Sequence, residues 1–484
     1  MTIDQLSTPL FAIEVALAFS AIVLAVARRR GVAGTLAWIF AILAFPFAGA
    51  LAYLLLANPS VRRTTRRKRL TAHEVRAAIR TRLGEGTPDH VAAELPPLAH
   101  GIVHLAARLT SLPPSAGNEV ELLVENRRAF QAIEAALLAA RESIWAEYYI
   151  IQPDETGKRF LDVLADRARA GVEVRLLHDA VGSARMDAAR VANLRAAGGR
   201  VAGFLPLNPL RRRWAIHLRN HRKVIVCDGT VGFTGGMNIG DEYSGSRHRR
   251  LLRRGVGPWR DAHLAIRGPA VRDLAQTFAE DWTFATDERL LPPRRPPPVE
   301  GASSVVAVIP SGPDQEVNAN ALVYFAGVAG ARARCWLTSP YFVPDEPMLR
   351  ALESAALRGV DVRVLVPARS DVPLTRAAAW SYFPELVRAG VRVFEYRPAM
   401  LHAKTIVVDD VFGIVGSANV DVRSFSLNFE VGAAIVDRDF AAELEARFLA
   451  DLADSTEITA ARLSERGFLD LLREGAVRLL SPLL

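Results

Sequence analysis

Two short stretches of this chain carry residues able to do phosphorus chemistry. The first reads His221-Arg222-Lys223, then Asp228 after four residues, then Gly235-Gly236-Met237-Asn238. The second reads His402-Ala403-Lys404, then Asp409, then Gly416-Ser417-Ala418-Asn419. His, Lys, Asp and Asn all recur at one displacement of 181 positions, as from 221 to 402. A single His-x-Lys-x(4)-Asp arises often by chance. Two copies with identical internal spacing, each extended to Gly-Gly or Gly-Ser and then Asn, are a far more specific signal.

Residues two apart on a strand share a face, so each motif presents an imidazole and an ammonium together. Val224 to Cys227 and Thr405 to Val408 are β-formers that continue each motif as a strand. Two facing copies give two imidazoles and two ammonium groups, a set suited to a phosphodiester. Lys223, Lys404, Asn238 and Asn419 would hold the non-bridging oxygens. One of His221 and His402 would attack phosphorus, and the other would protonate the leaving oxygen. The small Gly and Ser residues let backbone approach the phosphate. Asp228 and Asp409 complete the catalytic motif by pattern. They lie seven residues past their histidine, at the far end of the strand, and are expected to stabilise the turn that follows.

The elements that position these residues follow an α/β pattern from about Asn118. Helical stretches such as Arg128 to Glu142 alternate with β-rich runs such as Val172 to Leu177, which argues a largely parallel sheet. The Pro-rich stretch Leu291 to Val299 divides this body and reads as a stiff linker. The two parts resemble each other: Trp145 to Glu155 parallels Trp336 to Glu346, and Gly171 to Leu177 parallels Gly359 to Leu365. The expectation is two repeated α/β domains, 118–290 and 303–484, around a pseudo-twofold axis. A Pro-rich linker at 291–302 joins them.

Residues 1–60 form an apolar N-terminal segment and 61–117 a basic, helical connector. Leu10 to Ala27 is apolar apart from Glu14, and Thr35 to Ala57 is uncharged and long enough to cross a bilayer. No Lys or Arg precedes Arg28, which argues against a cleaved signal peptide. The tract Arg62 to Arg69 places the following domain in the cytoplasm by the positive-inside rule. Arg28 to Arg30 sit between the apolar runs and strain a simple hairpin, and Pro46 can kink the second run. Both a two-span hairpin and a shallow or re-entrant second segment fit. The basic tract suits either anionic headgroups or solvent.

The chain has 484 residues, is half hydrophobic and carries a net charge of +8. Its mean hydropathy is +0.14. This excludes global disorder and suits an anionic partner. Cys227 and Cys335 are far apart and form no metal or disulfide pattern.

These residues resemble the phospholipase D superfamily and, within it, the bacterial cardiolipin synthases. The likeness covers almost the whole chain. It includes Asn220 to Tyr243, Glu147 to Tyr149, Ser339 to Asp345, the apolar N-terminus and the terminal Ser481-Pro482-Leu483-Leu484. It implies a phosphatidyltransferase of a bacterial inner membrane, multi-pass, with cytoplasmic catalytic domains. The reaction implied is ping-pong. His221 takes the phosphatidyl group of one phosphatidylglycerol and releases glycerol, and a second phosphatidylglycerol then attacks, giving cardiolipin. His402 serves as acid and then base. No metal or other cofactor is implied, since the lysines supply positive charge. The resemblance also implies a carboxylate behind each histidine. Asp261, 40 residues past His221, is the candidate for that histidine, and Glu430, 28 residues past His402, for the other. His263 reads as structural.

The insertion holding Arg247, Arg249, Arg250, Arg253 and Arg254 suits lipid headgroups or solvent equally. The partners expected are phosphatidylglycerol and anionic membrane lipids. Competing readings are a phospholipase D-type hydrolase, a nucleic-acid phosphodiesterase and a non-enzymatic scaffold. The membrane segments weigh against the second, and the intact motif residues against the third. The acceptor lipid and the oligomeric state stay open.

Overall fold

A computed structural model describes residues 3–27, 32–56, 59–83, 95–206, 217–245, 258–479 and 481. Arg28 to Arg30, Arg211 to Arg213, the five arginines of the insertion and the last three residues lie outside the described residues. The chain divides into two compact units, Met1–Arg66 and Arg67–Leu484.

In the first unit the apolar run from Thr35 is not one helix. It forms Val32–Ala44 and Pro46–Leu56, of 13 and 11 residues. At 1.5 Å per residue neither reaches the roughly 30 Å of a bilayer core. The break falls where Pro46 cannot continue the hydrogen-bond ladder. The chain then doubles back so tightly that a Cβ on Gly49 would collide with the Ala41 carbonyl. These helices and Ile3–Ala27 enclose a small core of Ala21, Ala25, Ile42, Ala50 and Tyr53. Phe19, Phe40, Leu43, Phe45 and Phe47 face outward. Among the described residues no helix is long and apolar enough to cross a membrane. The second apolar run is thus a broken, doubled-back pair of helices, against the straight second span of the hairpin alternative and in keeping with the re-entrant one.

The second unit is built on one extended sheet. Its first half contributes β1 (Ser115–Leu123), β2 (Ser143–Tyr148), β3 (Glu173–Asp179), β4 (Arg200–Phe204), β5 (Arg219–Asn220), β6 (Val224–Cys227), β7 (Val231–Gly235) and β8 (His263–Arg267). The second half contributes β9 (Ser304–Ser311), β10 (Arg334–Thr338), β11 (Phe342–Val343), β12 (Asp361–Pro367), β13 (Arg392–Tyr396), β14 (Thr405–Val408), β15 (Phe412–Gly416), β16 (Val420–Asp421), β17 (Asn428–Val436) and β18 (Ser455–Glu457), of which β11 and β16 pair with each other in a separate two-stranded sheet. The order is β18-β13-β12-β10-β14-β15-β17-β9-β1-β8-β7-β6-β2-β3-β4. Apart from β18 it is a palindrome of equivalent strands, with β9 and β1 paired at the centre. The internal repeat thus becomes two sheets joined edge to edge.

The sheet is mixed, not largely parallel as expected. Only the outer strands of each half, β2-β3-β4 and β10-β12-β13, run parallel along its path. The motif strands are antiparallel to both neighbours, because β6–β7 and β14–β15 are joined by turns of three residues, too short for a crossover. Asp228 and Asp409 sit at those turns with positive φ (52° and 51°). The Asp228 carboxylate accepts the backbone N–H groups of Arg141, Glu142 and Ser143, at 2.8–2.9 Å. Asp409 likewise accepts those of Arg332, Ala333 and Arg334. Each aspartate thus ties the end of its motif strand to the start of the neighbouring β2 or β10.

The Pro-rich stretch is laid against the first half. Arg295 pairs with Asp273 at 2.7 Å, and the Val299 N–H donates to the Gly117 carbonyl. The basic tract is partly internal as well. Lys68 is buried and pairs with buried Asp281 at 2.7 Å, while Arg67 and Arg69 engage Asp287 and Glu316. Asp281 also receives Arg222, the middle residue of the first motif, whose Nε donates to the Glu430 carbonyl.

Candidate active site

The backbone just before each histidine lies against the opposite half of the molecule. β5 pairs with the start of β17, and the His221 N–H donates to the Phe429 carbonyl at 2.8 Å. Reciprocally, Leu401 bridges to Arg260, and the His402 N–H donates to the Arg260 carbonyl at 2.6 Å. This crossing decides which carboxylate meets which imidazole. His221 Nδ1 lies 2.9 and 3.1 Å from the two Glu430 oxygens. His402 Nδ1 lies 2.7 Å from Asp261 Oδ2. The pairing expected from separation along the chain is therefore reversed, although both carboxylates are the right residues. Glu430 backs His221 and Asp261 backs His402.

Both carboxylates are fully buried. Burial alone would push their pKa values up, but His221 and Lys223 hold Glu430 below its usual value. Lys404 and His402 do the same for Asp261. Each ionised carboxylate accepts a hydrogen bond from Nδ1–H and so leaves Nε2 with its lone pair. Ser417 Oγ donates to Glu430 at 2.5 Å, and Asn428 adds a third contact at 3.2 Å. Gly236 occupies the place of Ser417 in the first half, where any Cβ would collide with the Asp261 carboxylate.

Burial lowers the His221 pKa to about 4, with Glu430 raising it and Lys223 lowering it. Burial and then Lys404 lower that of His402 to about 3. Both imidazoles are thus neutral near pH 7. Burial also brings Lys223 to about 7 and Lys404 to about 8. An arriving phosphodiester anion favours the cationic form of all four groups.

His221, His402, Asn238 and Asn419 line a single cavity of about 540 Å³. The lysines do not line it. Lys223 Nζ donates to the His221 carbonyl at 2.6 Å, and Lys404 Nζ contacts the His402 carbonyl and lies 2.8 Å from its Nδ1. Lys404 Nζ thus lies beside its own imidazole, 3.1 Å from Nε2 as well, while Lys223 Nζ lies over the Tyr149 ring, 5.6 Å from its centroid. Asn238 Nδ2 donates to the Tyr243 hydroxyl at 3.0 Å, while Asn419 Oδ1 is buried without a hydrogen-bond partner among the described residues. Asp228 and Asp409 are outside the cavity, at the far ends of their strands. His263 is buried on β8 and does not line it either.

Sequence reasoning assigned no role to the aromatic walls. Tyr149 packs edge-on against His221 (ring centroids 4.9 Å apart), and Trp259 and Tyr243 flank His402 at 5.1 and 5.6 Å. It also missed a break in the symmetry. Four residues past the motif asparagine the first copy has Glu242 and the second has Arg423. Arg219 and Arg423 line the cavity beside Tyr149 and His221, and Glu242, hydrogen-bonded to Gln152, lines it beside Trp259 and His402. The signal was present in the aligned copies as one position of opposite charge.

Among the described residues no cluster of three or more His, Cys, Asp or Glu is placed to hold a metal ion. The arrangement can bind a phosphodiester between the two imidazoles, use one in its neutral form as nucleophile and the other, protonated as the anion binds, to exchange a proton with the oxygen opposite.

Comparison with known proteins agrees with this geometry. A family model described as cardiolipin synthase, PLD-like domain, matches twice, over residues 133–248 and 326–452. A phospholipase D-nuclease N-terminal model matches residues 16–58. The chain is 41% identical over 481 residues to a cardiolipin synthase of Geobacillus thermodenitrificans, covering 98% of this chain and 93% of that one. It is 39% identical over 470 residues to cardiolipin synthase A of Pseudomonas aeruginosa, covering 97% and 94%. Among solved structures, the phosphatidylserine synthase of Haemophilus influenzae superposes with a TM-score of 0.59 at 15% identity. It covers 79% of this chain and 100% of its own, a likeness of fold.

Proposed function

This chain belongs to the cardiolipin synthases, phosphatidyltransferases of the phospholipase D type, and from that premise we propose a ping-pong transfer on His221. The phosphatidyl group of one phosphatidylglycerol enters between the histidines. His221 Nε2, with its Nδ1 proton held by Glu430, forms a bond to phosphorus. The P–O bond to glycerol breaks on the opposite side, where His402, which takes up a proton at Nε2 as the phosphodiester anion binds, gives that proton to the leaving oxygen. The hydroxyl of a second phosphatidylglycerol then takes the place of glycerol. It returns its proton to His402 and displaces His221, giving cardiolipin.

The observation that carries this reading is the pair of imidazoles facing one cavity, each fixed by a carboxylate of the opposite half. Lys223 and Lys404, with Asn238 and Asn419, stabilise the charge developing on the phosphoryl oxygens. Their positions around the imidazoles support that role. The polar wall beside His402, with Glu242 and Gln152, offers partners to glycerol hydroxyls. This supports His402 as the group facing the headgroup and His221 as the nucleophile. The apolar N-terminal unit anchors the chain to a bacterial inner membrane, with the catalytic unit on the cytoplasmic side.

A product assay tests the reading. Purified enzyme with labelled phosphatidylglycerol is expected to release glycerol and cardiolipin in equal amounts. Phosphatidic acid as the main product would replace transfer by hydrolysis. Adding phosphatidylethanolamine to the same assay identifies the acceptor.

A further inference from the structure

The C-terminal helix Phe468–Arg478 is amphipathic in the inverse sense. Its polar side faces the protein: Arg478 pairs with Glu385 at 2.6 Å, and Glu474 receives Arg466 at 2.5 Å. Its apolar side faces outward. Phe468, Leu469 and Leu472 are 76%, 77% and 58% exposed, and Leu479, just beyond the helix, is 83% exposed. At 100° per residue Phe468, Leu472 and Leu479 fall on one stripe, with Leu469 at its edge. A helix that docks through these ion pairs and the single buried Val477, and shows phenylalanine and leucines to the outside, is built to meet an apolar medium.

A second cavity, of about 520 Å³, lies at the foot of this ridge. Arg369, Arg376, Arg462, Arg466 and Arg473 line it, against two carboxylates, Asp470 and Glu474. Arg376 and Arg462 share Glu395, yet Nε of the former and Nη1 of the latter are buried without a hydrogen-bond partner among the described residues. Arg369 and Arg473 have no ion pair among those residues. Such an excess of guanidinium groups fits phosphate oxygens. The segment from Arg369 to Arg376 separates this cavity from the active one, since Asp371, Val372 and Thr375 line the latter. Val372 and Leu374 add exposed apolar surface there.

We propose that this face docks onto an anionic phospholipid surface. The ridge of Phe468, Leu469 and Leu472 enters the acyl boundary, and the arginine cavity takes a phospholipid headgroup phosphate. The mouth of the active cavity is thereby brought to the lipid that supplies it. Charge decides the occupant: five arginines against Asp470, Glu474 and Glu395 leave an excess of two positive charges beside an apolar stripe, which matches an anionic bilayer, whereas a second copy would bring the same excess with it. The proposal rests on the reading of the substrate as a membrane lipid.

The test uses the full chain with Leu472→Cys carrying a solvatochromic dye; Cys227 and Cys335 are buried and stay unlabelled. In vesicles containing phosphatidylglycerol the dye should shift to the blue and be quenched by brominated acyl chains. Pure phosphatidylcholine should give little of either. In R369Q/R473Q docking should weaken by up to about thirtyfold, each basic side chain at an anionic surface being worth roughly a factor of five. KM for phosphatidylglycerol in vesicles should rise with it, while turnover in detergent micelles stays unchanged.

An unquenched dye in anionic vesicles where the enzyme turns over would overturn the proposal. So would equal quenching in neutral vesicles or in the double variant. Concentration-dependent crosslinking between copies through position 472, in place of quenching, would assign the face to self-association. Cardiolipin formation in micelles is followed on the same samples. Its absence would count against the synthase reading alone, because the dye still reports docking.

Discussion

The crossed carboxylates predict that Glu430→Gln damages the nucleophile of the other half. Glu430 is fully buried, lies 2.9 Å from His221 Nδ1 and also receives Ser417 and Asn428. Replacing it by an amide removes a charge-assisted hydrogen bond worth roughly 1.5–3 kcal/mol. At about 1.4 kcal/mol per decade that is a loss of about 10- to 150-fold in turnover. An amide NH2 turned toward Nδ1 would hold the wrong tautomer, and the loss would then approach about 10⁴-fold. Asp261→Asn should cost a similar factor with phosphatidylglycerol, but through His402.

The two variants separate on a donor whose leaving group is a nitrophenolate, which departs without a proton. The burst of nitrophenol should return to near wild-type rate in D261N, whose weakened acid is no longer needed. It should stay slow in E430Q, whose nucleophile is impaired. The opposite pattern, E430Q rescued and D261N slow, would refute the reasoning. Mapping the trapped phosphoryl group would then tell whether the pairing or the choice of nucleophile had failed.

Four further outcomes are expected. The pKa values near 7 and 8 for Lys223 and Lys404 predict that kcat/KM falls as pH rises through 7 to 8, where the ammonium groups lose their protons; a profile flat to pH 9 would remove the lysines from phosphate binding. His221 and His402 titrate in the folded state at about 4 and 3, below the ordinary 6.5, so the unfolded chain binds more protons in between. Their contribution to stability is present above pH 6.5 and is lost as pH falls through 4 to 3, which thermal unfolding across that range checks.

Asp228→Ala and Asp409→Ala each delete three backbone hydrogen bonds, at about 1 kcal/mol each. Each should lower stability by about 3 kcal/mol in denaturant titration, yet keep turnover per folded molecule within severalfold. Lys68→Met leaves Asp281 with Arg222 as its remaining cation, a change of a kind that costs about 3 kcal/mol or more when a buried pair is broken. Limited proteolysis within the helix Pro59–Leu83 should then accelerate.

Much of the site is legible along the chain because it is local. His and Lys two apart, β-branched residues after them, and a small residue before Asn are short-range requirements, and their duplication marks them as one device. That Asp228 and Asp409 sit at a turn was equally readable, but their partners were not: each carboxylate takes N–H groups at the start of the neighbouring β2 or β10, far away along the chain. The N-terminal apolar runs were visible too, but Pro46 and Gly49 turn the second back on itself, a matter of close backbone approach that hydropathy does not record.

What tertiary structure alone decided is who meets whom. Asp261 and Glu430 could be recognised as carboxylates in the right places, but chain separation assigned each to the wrong histidine. The segments before His221 and His402 cross to the other half and pair with β17 and with Arg260, so that each imidazole is completed by the opposite copy. Lys68 was read as part of a solvated or lipid-facing tract, and folding buries it against Asp281. Strand propensity and motif spacing are properties of a few neighbouring residues and are written in the sequence itself. Partner choice across a sheet, and the burial that sets a pKa, arise from contacts between residues tens to hundreds of positions apart, which only the folded chain brings together.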